Sequence, residues 1–268
     1  MRSNPTNEKT VLPFLEKYQL SIFFSITVFL SAVIAFIAVA VGDENFAILT
    51  VFTPSLTAIL LIALIKGKVG VREFLVSQTR QRLHLKWFIT SLLTIPIIAI
   101  TAAVLHSLAG GSPLALRTTE VLPQVIVILL IAFGEEYGWR GFALPKLQER
   151  YNAIISSLML GLVWAFWHFP GYLIGTGVPL DMPFPVFVLW VIPATILITW
   201  VYNNTKNIVS AIFMHMAANA AFNYLYLLPE FTGHLTTFWV FLGVLWFVTI
   251  AITIFFGNTS LTGKTTQQ

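Results

Sequence analysis

The chain has 268 residues, 57% of them hydrophobic and only 10% charged, with a mean hydropathy of +0.84. Soluble domains carry about 25% charged residues, so a water-soluble fold is excluded; disorder is excluded too, because it needs low hydrophobicity and high charge. The absence of cysteine rules out disulfides, thiolate nucleophiles and zinc–thiolate sites, and the net charge of +4 reads as cations gathered beside a bilayer rather than as a nucleic-acid surface.

A spanning helix needs about 20 apolar residues. The first such run covers residues 20–41 and is broken by Gly42-Asp43-Glu44. It is longer than the 7–15-residue apolar core of a signal peptide, and further spans follow, so it reads as a retained helix. Further runs lie at 46–65, 87–109, 121–137, 153–174, 185–202, 208–228 and 236–256. The expected architecture is therefore all-α, a polytopic membrane bundle of eight helices. Residues 1–19 form a cytoplasmic arm, 20–256 the membrane domain, and 257–268 a cytoplasmic tail expected to fray.

The charges test this count. Arg2, Lys9 and Lys17 precede the first span, and Lys66, Lys68, Arg72, Arg80, Arg82 and Lys86 follow the second. Arg140, Lys146 and Arg150 follow the fourth, Lys206 the sixth and Lys264 the eighth. With eight spans, these fourteen of the fifteen cations share one side and only Arg117 lies opposite. That asymmetry puts both termini in the cytoplasm. The stretch from Lys66 to Lys86 mixes its cations with Val71, Phe74, Leu75, Leu83 and Leu85. It reads either as a helix on anionic headgroups or against substrate, or as a solvated connector.

Ionisable groups inside spans mark functional sites by default. In Glu135-Glu136-Tyr137-Gly138-Trp139-Arg140, helical spacing makes Glu136 and Arg140 neighbours on one face. Glu135 then points about 100° away, as the 3.6-residue turn requires. One carboxylate is charge-compensated and the other is open to proton chemistry, the separation expected of an acid/base pair; the bland alternative is an interfacial ion pair. In the fifth span, Trp164 and His168 share a face just before Pro170. Alone, such a histidine reads as an interhelical hydrogen-bonding group. In the seventh, His215 and Asn219 are i, i+4 among small residues, suited to interhelical contact or to an oxyanion. His106, near the outer end of the third span, is a weaker candidate. Burying all these groups is costly unless they meet, so spans four, five and seven are expected to share one polar cavity. Depth arithmetic at 1.5 Å per residue puts His168 about 22 Å from the start of its span; a water-filled, cytoplasm-facing cavity is the expectation, and the sequence does not fix its opening. Such a set suits water activation, a proton relay or a metal site.

Taken in order, these elements resemble the CPBP family of CAAX prenyl-protease-like and bacteriocin-processing or immunity ("Abi") intramembrane proteases. Glu135-Glu136-x-x-x-Arg140 resembles its first motif, Trp164-x-x-x-His168 its second and His215-x-x-x-Asn219 its third. The likeness covers about residues 66–228, and Trp stands at 164 where eukaryotic members typically have Phe. It implies an endopeptidase, in a bacterial cell membrane, acting on a membrane-associated or lipidated peptide or protein. In that scheme Glu135 activates water with His168, His215 and Asn219 stabilise the oxyanion, and Glu136 and Arg140 organise the cavity. Two chemistries stay open: a zinc ion held by Glu135, His168 and His215, or a metal-free glutamate mechanism. A non-catalytic immunity protein of the same fold and a proton-coupled transporter are the alternatives.

Overall fold

A computed structural model describes residues 5–117 and 121–263, without the side chains of 5–11 and 121–122. Eleven α-helices follow in order. They are α1 (Pro5–Val41), α2 (Thr53–Ser77), α3 (Leu85–Leu108), α4 (Val121–Glu136), α5 (Leu144–Gln148) and α6 (Ala153–Trp167). Then come α7 (Phe169–Leu173), α8 (Phe184–Thr205), α9 (Ile208–Tyr224), α10 (Pro229–Thr232) and α11 (Thr236–Phe256). A 3₁₀ helix, Glu44–Phe52, joins α1 to α2, and a π-helical turn, Tyr137–Ala143, joins α4 to α5. The described residues contain no strand, only an isolated bridge between Leu116 and Leu225.

Local chemistry sets these boundaries. Asp43 caps the 3₁₀ helix by accepting from the Asn45 N–H, Asn152 caps α6 from Ile155, and Asn207 caps α9 from Val209. Lys206 takes a left-handed conformation (φ 50°), which folds α9 back against α8. Buried hydroxyls return hydrogen bonds to their own helix: Thr195 to the Val191 carbonyl, Thr205 to Val201 and Thr249 to Leu245. These three hydroxyls are thereby satisfied inside the bundle.

Six stretches of the described residues are long and apolar enough to cross a membrane: Leu12–Val41, Glu44–Ser77, Leu85–Leu108, Ala153–Leu173, Phe184–Thr205 and Thr236–Phe256. Large apolar side chains point outward from them, with Phe36 and Phe247 each 74% exposed and Phe255 81%. Water would not tolerate so continuous an apolar face, and a bilayer requires it; the protein is an integral membrane protein. The other two apolar runs, α4 and α9, are shorter, at 16 and 17 residues. Helix α9 lies inside the bundle, and α4 packs on it while turning Ile126, Val127, Leu130 and Phe133 outward; the two carry the buried Glu135, Glu136 and His215. Around them α3 packs on α9 and α11, α6 on α8, and α1 on α2.

The two ends of the bundle are chemically different. At one end the Ile208 N–H meets the Gln78 carbonyl at 2.8 Å, the Asn207 amide meets that of Gln81 at 2.6 Å, and Gln148 meets Asn203 at 3.2 Å. This end holds the basic connectors. At the other, the Arg117 N–H meets the Tyr224 carbonyl at 2.9 Å and the Leu180 N–H meets Glu230 at 2.9 Å. Asp43, Glu44 and Asp181 belong to the connectors of this second, acidic end.

Three details depart from the sequence reading. The segment 257–263 is docked, not frayed: the Thr259 and Asn258 carbonyls accept from Ala153 and Ile154, Asn203 and Asn204 donate to the Ser260 and Leu261 carbonyls, and Leu261 is fully buried. Residues 264–268 lie outside the described part. Helix α1 already begins at Pro5, inside the expected arm. Helix α2 runs past the expected end of its span to Ser77 by way of a break at Gly67 (φ 65°, ψ −169°), a backbone region open essentially to glycine alone. Beyond the break Val71 and Phe74 pack on the core while Lys68 and Arg72 stay exposed.

Candidate active site

Glycines let the site helices close up. An added Cβ at Gly138 would fall 2.4 Å from the Pro54 backbone carbon, and one at Gly134 would fall 2.9 Å from the Val51 carbonyl oxygen. The start of α2 is thereby pressed against the π turn. Such wider turns are frequent at functional sites, and this one carries Arg140 into the interior, where it is fully buried.

Glu136 is also fully buried, and its Oε1 accepts from Arg140 Nη1 at 2.8 Å and lies 2.9 Å from His215 Nδ1. One carboxylate oxygen thus ties α4, the π turn and α9 together. Glu135 points elsewhere, as the helical turn requires: its Oε2 accepts from Trp164 Nε1 at 2.7 Å. The Trp164 ring lies between the Arg140 guanidinium, 4.4 Å away, and the His215 ring, 5.3 Å away and edge-on. This indole therefore touches the ionisable groups of both other helices.

His168 sits at the break between α6 and α7. Its ring packs edge-on against Trp167 at 4.6 Å and Phe187 at 5.1 Å. Trp167 is fixed in turn by donating to Thr53 Oγ1 at 3.0 Å, and its carbonyl accepts from Ser31 at 2.8 Å. The second-motif histidine is thus braced by α1, α2 and α8.

Glu135, Trp164, His168, His215 and Asn219 all line one cavity of about 750 Å3, within the range of small-ligand sites. Spans four, five and seven do converge on it. Glu136 and Arg140 stand behind its wall. His106 is not part of it: its ring lies 6.1 Å from that of His234 at the acidic end. The cavity reaches from mid-bundle toward the end that carries the acidic connectors. Its wall includes mid-span residues such as Ser31, Ile131, Val191 and Ile198. The connector residues that line it, Glu44, Asn45, Gly175–Pro179 and Glu230, come from the acidic end. The reason is the placement of His168, about 22 Å along α6 from its basic-end start and so nearer the acidic end.

Among the described residues, no group of three His, Asp or Glu side chains stands in an arrangement fit for a metal ion. Glu135, His168 and His215 do not form such a group as placed; Trp164 engages Glu135 Oε2 and Glu136 engages His215 Nδ1, leaving Glu135 Oε1 and His215 Nε2 outside those bonds.

The family described as type II CAAX prenyl endopeptidase, Rce1-like, matches residues 117–221. That stretch contains Glu135, Glu136, Arg140, Trp164, His168, His215 and Asn219. A CAAX prenyl protease 2 of Methanococcus maripaludis is 29% identical over 181 residues, covering 62% of this chain and 67% of its own. Over this region the chain is similar to CAAX-protease-like membrane proteins. The matched region supplies the wall that carries the motif residues, while α1 and the 3₁₀ helix, outside it, supply the facing wall.

The motif residues were accessible to sequence reasoning; the facing wall was not. Ser31, Thr53, Glu44 and Phe187 each support or line the site from segments with no motif. Only the Asp43-Glu44 pair, breaking an apolar run, hinted at a special turn.

Proposed function

We propose that the protein is an intramembrane endopeptidase that hydrolyses a peptide bond of a membrane-associated or lipidated substrate with water activated by Glu135. One observation carries this reading: two adjacent buried carboxylates have separate surroundings, Glu136 tied to Arg140 and His215, Glu135 turned to the cavity. The relative's name, CAAX prenyl protease 2, supports a lipid-modified substrate, and the exposed flanks of Ile48 and Val127, both lining the cavity, give such a substrate an apolar approach.

In this mechanism Trp164 holds Oε2 of Glu135 and leaves Oε1 to take a proton from water. His168 orients that water. The hydroxide oxygen bonds to the scissile carbonyl carbon as the C=O π pair moves onto oxygen. The Asn219 amide donates to that oxyanion, and Nε2 of His215, when it carries a proton, is the second donor. Glu136 positions His215 through Nδ1. Collapse breaks the C–N bond, and the proton held by Glu135 passes to the leaving amine. The chemistry is metal-free: activity in reconstituted protein is expected to survive strong chelators, and loss with restoration by zinc would replace this mechanism. Glu135→Gln is expected to lower cleavage of a lipidated peptide by about 10²–10⁴-fold, the usual contribution of a general base. Equal cleavage by the variant and the parent protein would overturn the assignment.

A further inference from the structure

His168 ends α6, and the chain after it turns back onto the histidine ring. Gly171, in α7, lies so close to the returning chain that an added Cβ would fall 2.8 Å from the Thr176 carbonyl oxygen. The Thr176 N–H donates to the Gly171 carbonyl at 2.9 Å. Gly175 (φ 78°) and Gly177 (φ 73°) take the left-handed conformation that glycine adopts without strain. Beyond them Val178 and Met182 are buried, and the Leu180 N–H donates to Glu230 Oε2 at 2.9 Å. The return is thereby held at both of its ends.

This return sets the Gly177 backbone against one nitrogen of His168. An added Cβ at Gly177 would fall 3.5 Å from Nδ1, and the Gly177 backbone hydrogen-bonds the ring. Among the described residues, Nε2 has no hydrogen-bond partner. The tautomer of a histidine is set by the bond that its other nitrogen makes. A backbone carbonyl only accepts, so an Nδ1 that faces one carries the proton and Nε2 keeps its lone pair.

That lone pair decides how water is held. An unprotonated Nε2 accepts one O–H of the water while Glu135 Oε1 takes the other proton, and the oxygen lone pairs stay free to attack. A protonated Nε2 would donate to the same oxygen and occupy a lone pair that must reach the carbonyl carbon.

We propose that Gly177 is a positioning residue: its carbonyl holds Nδ1–H of His168, and Glu230, by pinning Leu180, keeps that carbonyl in place. The tautomer follows from the path of the return alone; its use on water rests on the endopeptidase reading above.

The tautomer can be read directly. Protein labelled with 15N-histidine, in detergent at neutral pH, gives a ring-nitrogen pattern for each of its five histidines. The pattern lost in His168→Gln belongs to His168. The expected pattern is a neutral ring protonated at Nδ1; protonation at Nε2, or at both nitrogens, overturns the proposal. Gly177→Ala puts a Cβ on a left-handed backbone. It is expected to move the His168 pattern toward the tautomer mixture of a free imidazole, while His84, His106 and His234 keep theirs and report an intact fold. An unmoved His168 pattern overturns the role of Gly177. With a lipidated peptide, Gly177→Ala is expected to lower kcat by about 10²-fold, the cost of a misplaced catalytic group, with KM changed little. Glu230→Ala is the milder variant, and Glu230→Gln, which keeps an acceptor for the Leu180 N–H, is expected to lose less kcat than Glu230→Ala. Equal losses in the two overturn the role of Glu230. An Nδ1–H pattern in a parent protein that cleaves no peptide counts against the endopeptidase reading and leaves the tautomer standing.

Discussion

A carboxylate taken out of water needs donors or a counter-ion, and two adjacent ones on a helix cannot both use the same partners. Glu136 takes Arg140 and His215; Glu135 takes only the Trp164 indole. The two Gln substitutions therefore separate stability from chemistry. Glu136→Gln leaves the fully buried Arg140 charge without its partner, and removing one member of a buried pair costs about 3–5 kcal/mol. It is expected to lower the thermal midpoint in detergent by many degrees as well as to lower activity. Glu135→Gln keeps a hydrogen-bond acceptor for Trp164 and is expected to melt within a few degrees of the parent while losing turnover. A thermal midpoint unchanged in Glu136→Gln would refute the structural role given to it. This part of the site was legible in the sequence because spacing along one helix decides it: residues 136 and 140 must share a face, and 135 cannot. The bracing of His168 by Trp167, Thr53 and Ser31 was not legible, since these contacts cross 114 and 136 residues of chain and no spacing rule reaches that far.

At the scale of elements, close approach governs the site. The Gly138 position has no room for a methyl group against Pro54, so Gly138→Ala must push α2 from the π turn. It is expected to destabilise by several kcal/mol, since overpacking costs about 1–3 kcal/mol even where side chains alone must yield. Gly243, with nothing within 4 Å of an added Cβ, is the control: Gly243→Ala is expected to be neutral or to raise the thermal midpoint slightly. The same comparison explains what hydropathy could and could not read. Long apolar runs declare α1, α3, α8 and α11 plainly. The π turn reads in sequence only as the end of an apolar run, because Tyr137–Ala143 carries glycine and arginine where a hydropathy window wants leucine. By hydropathy α2 likewise ends near Lys66, although its backbone resumes a helical course beyond Gly67.

For the molecule as a whole, the asymmetry between ends matters most. Exposed cations at Lys66, Lys68, Arg72, Arg80 and Arg82 lie where an anionic leaflet would contribute about 1 kcal/mol for each. Protein supplied with anionic phospholipid is expected to melt higher than protein in a zwitterionic one. Replacing Arg72, Arg80 and Arg82 together by Gln is expected to remove most of that difference; an unchanged difference would place the lipid contact elsewhere. The charge of each connector was readable from the chain. Which end the cavity reaches was not, because that depends on how deep His168 sits and on a wall that includes part of Glu44–Phe52, a segment outside every motif.

The docked segment makes one helix depend on a distant part of the chain. The first N–H groups of α6, which carries Trp164, bond to the carbonyls of Asn258 and Thr259, so the orphan donors that every helix start leaves stay unsatisfied at α6 until α11 and the segment after it have folded back onto it.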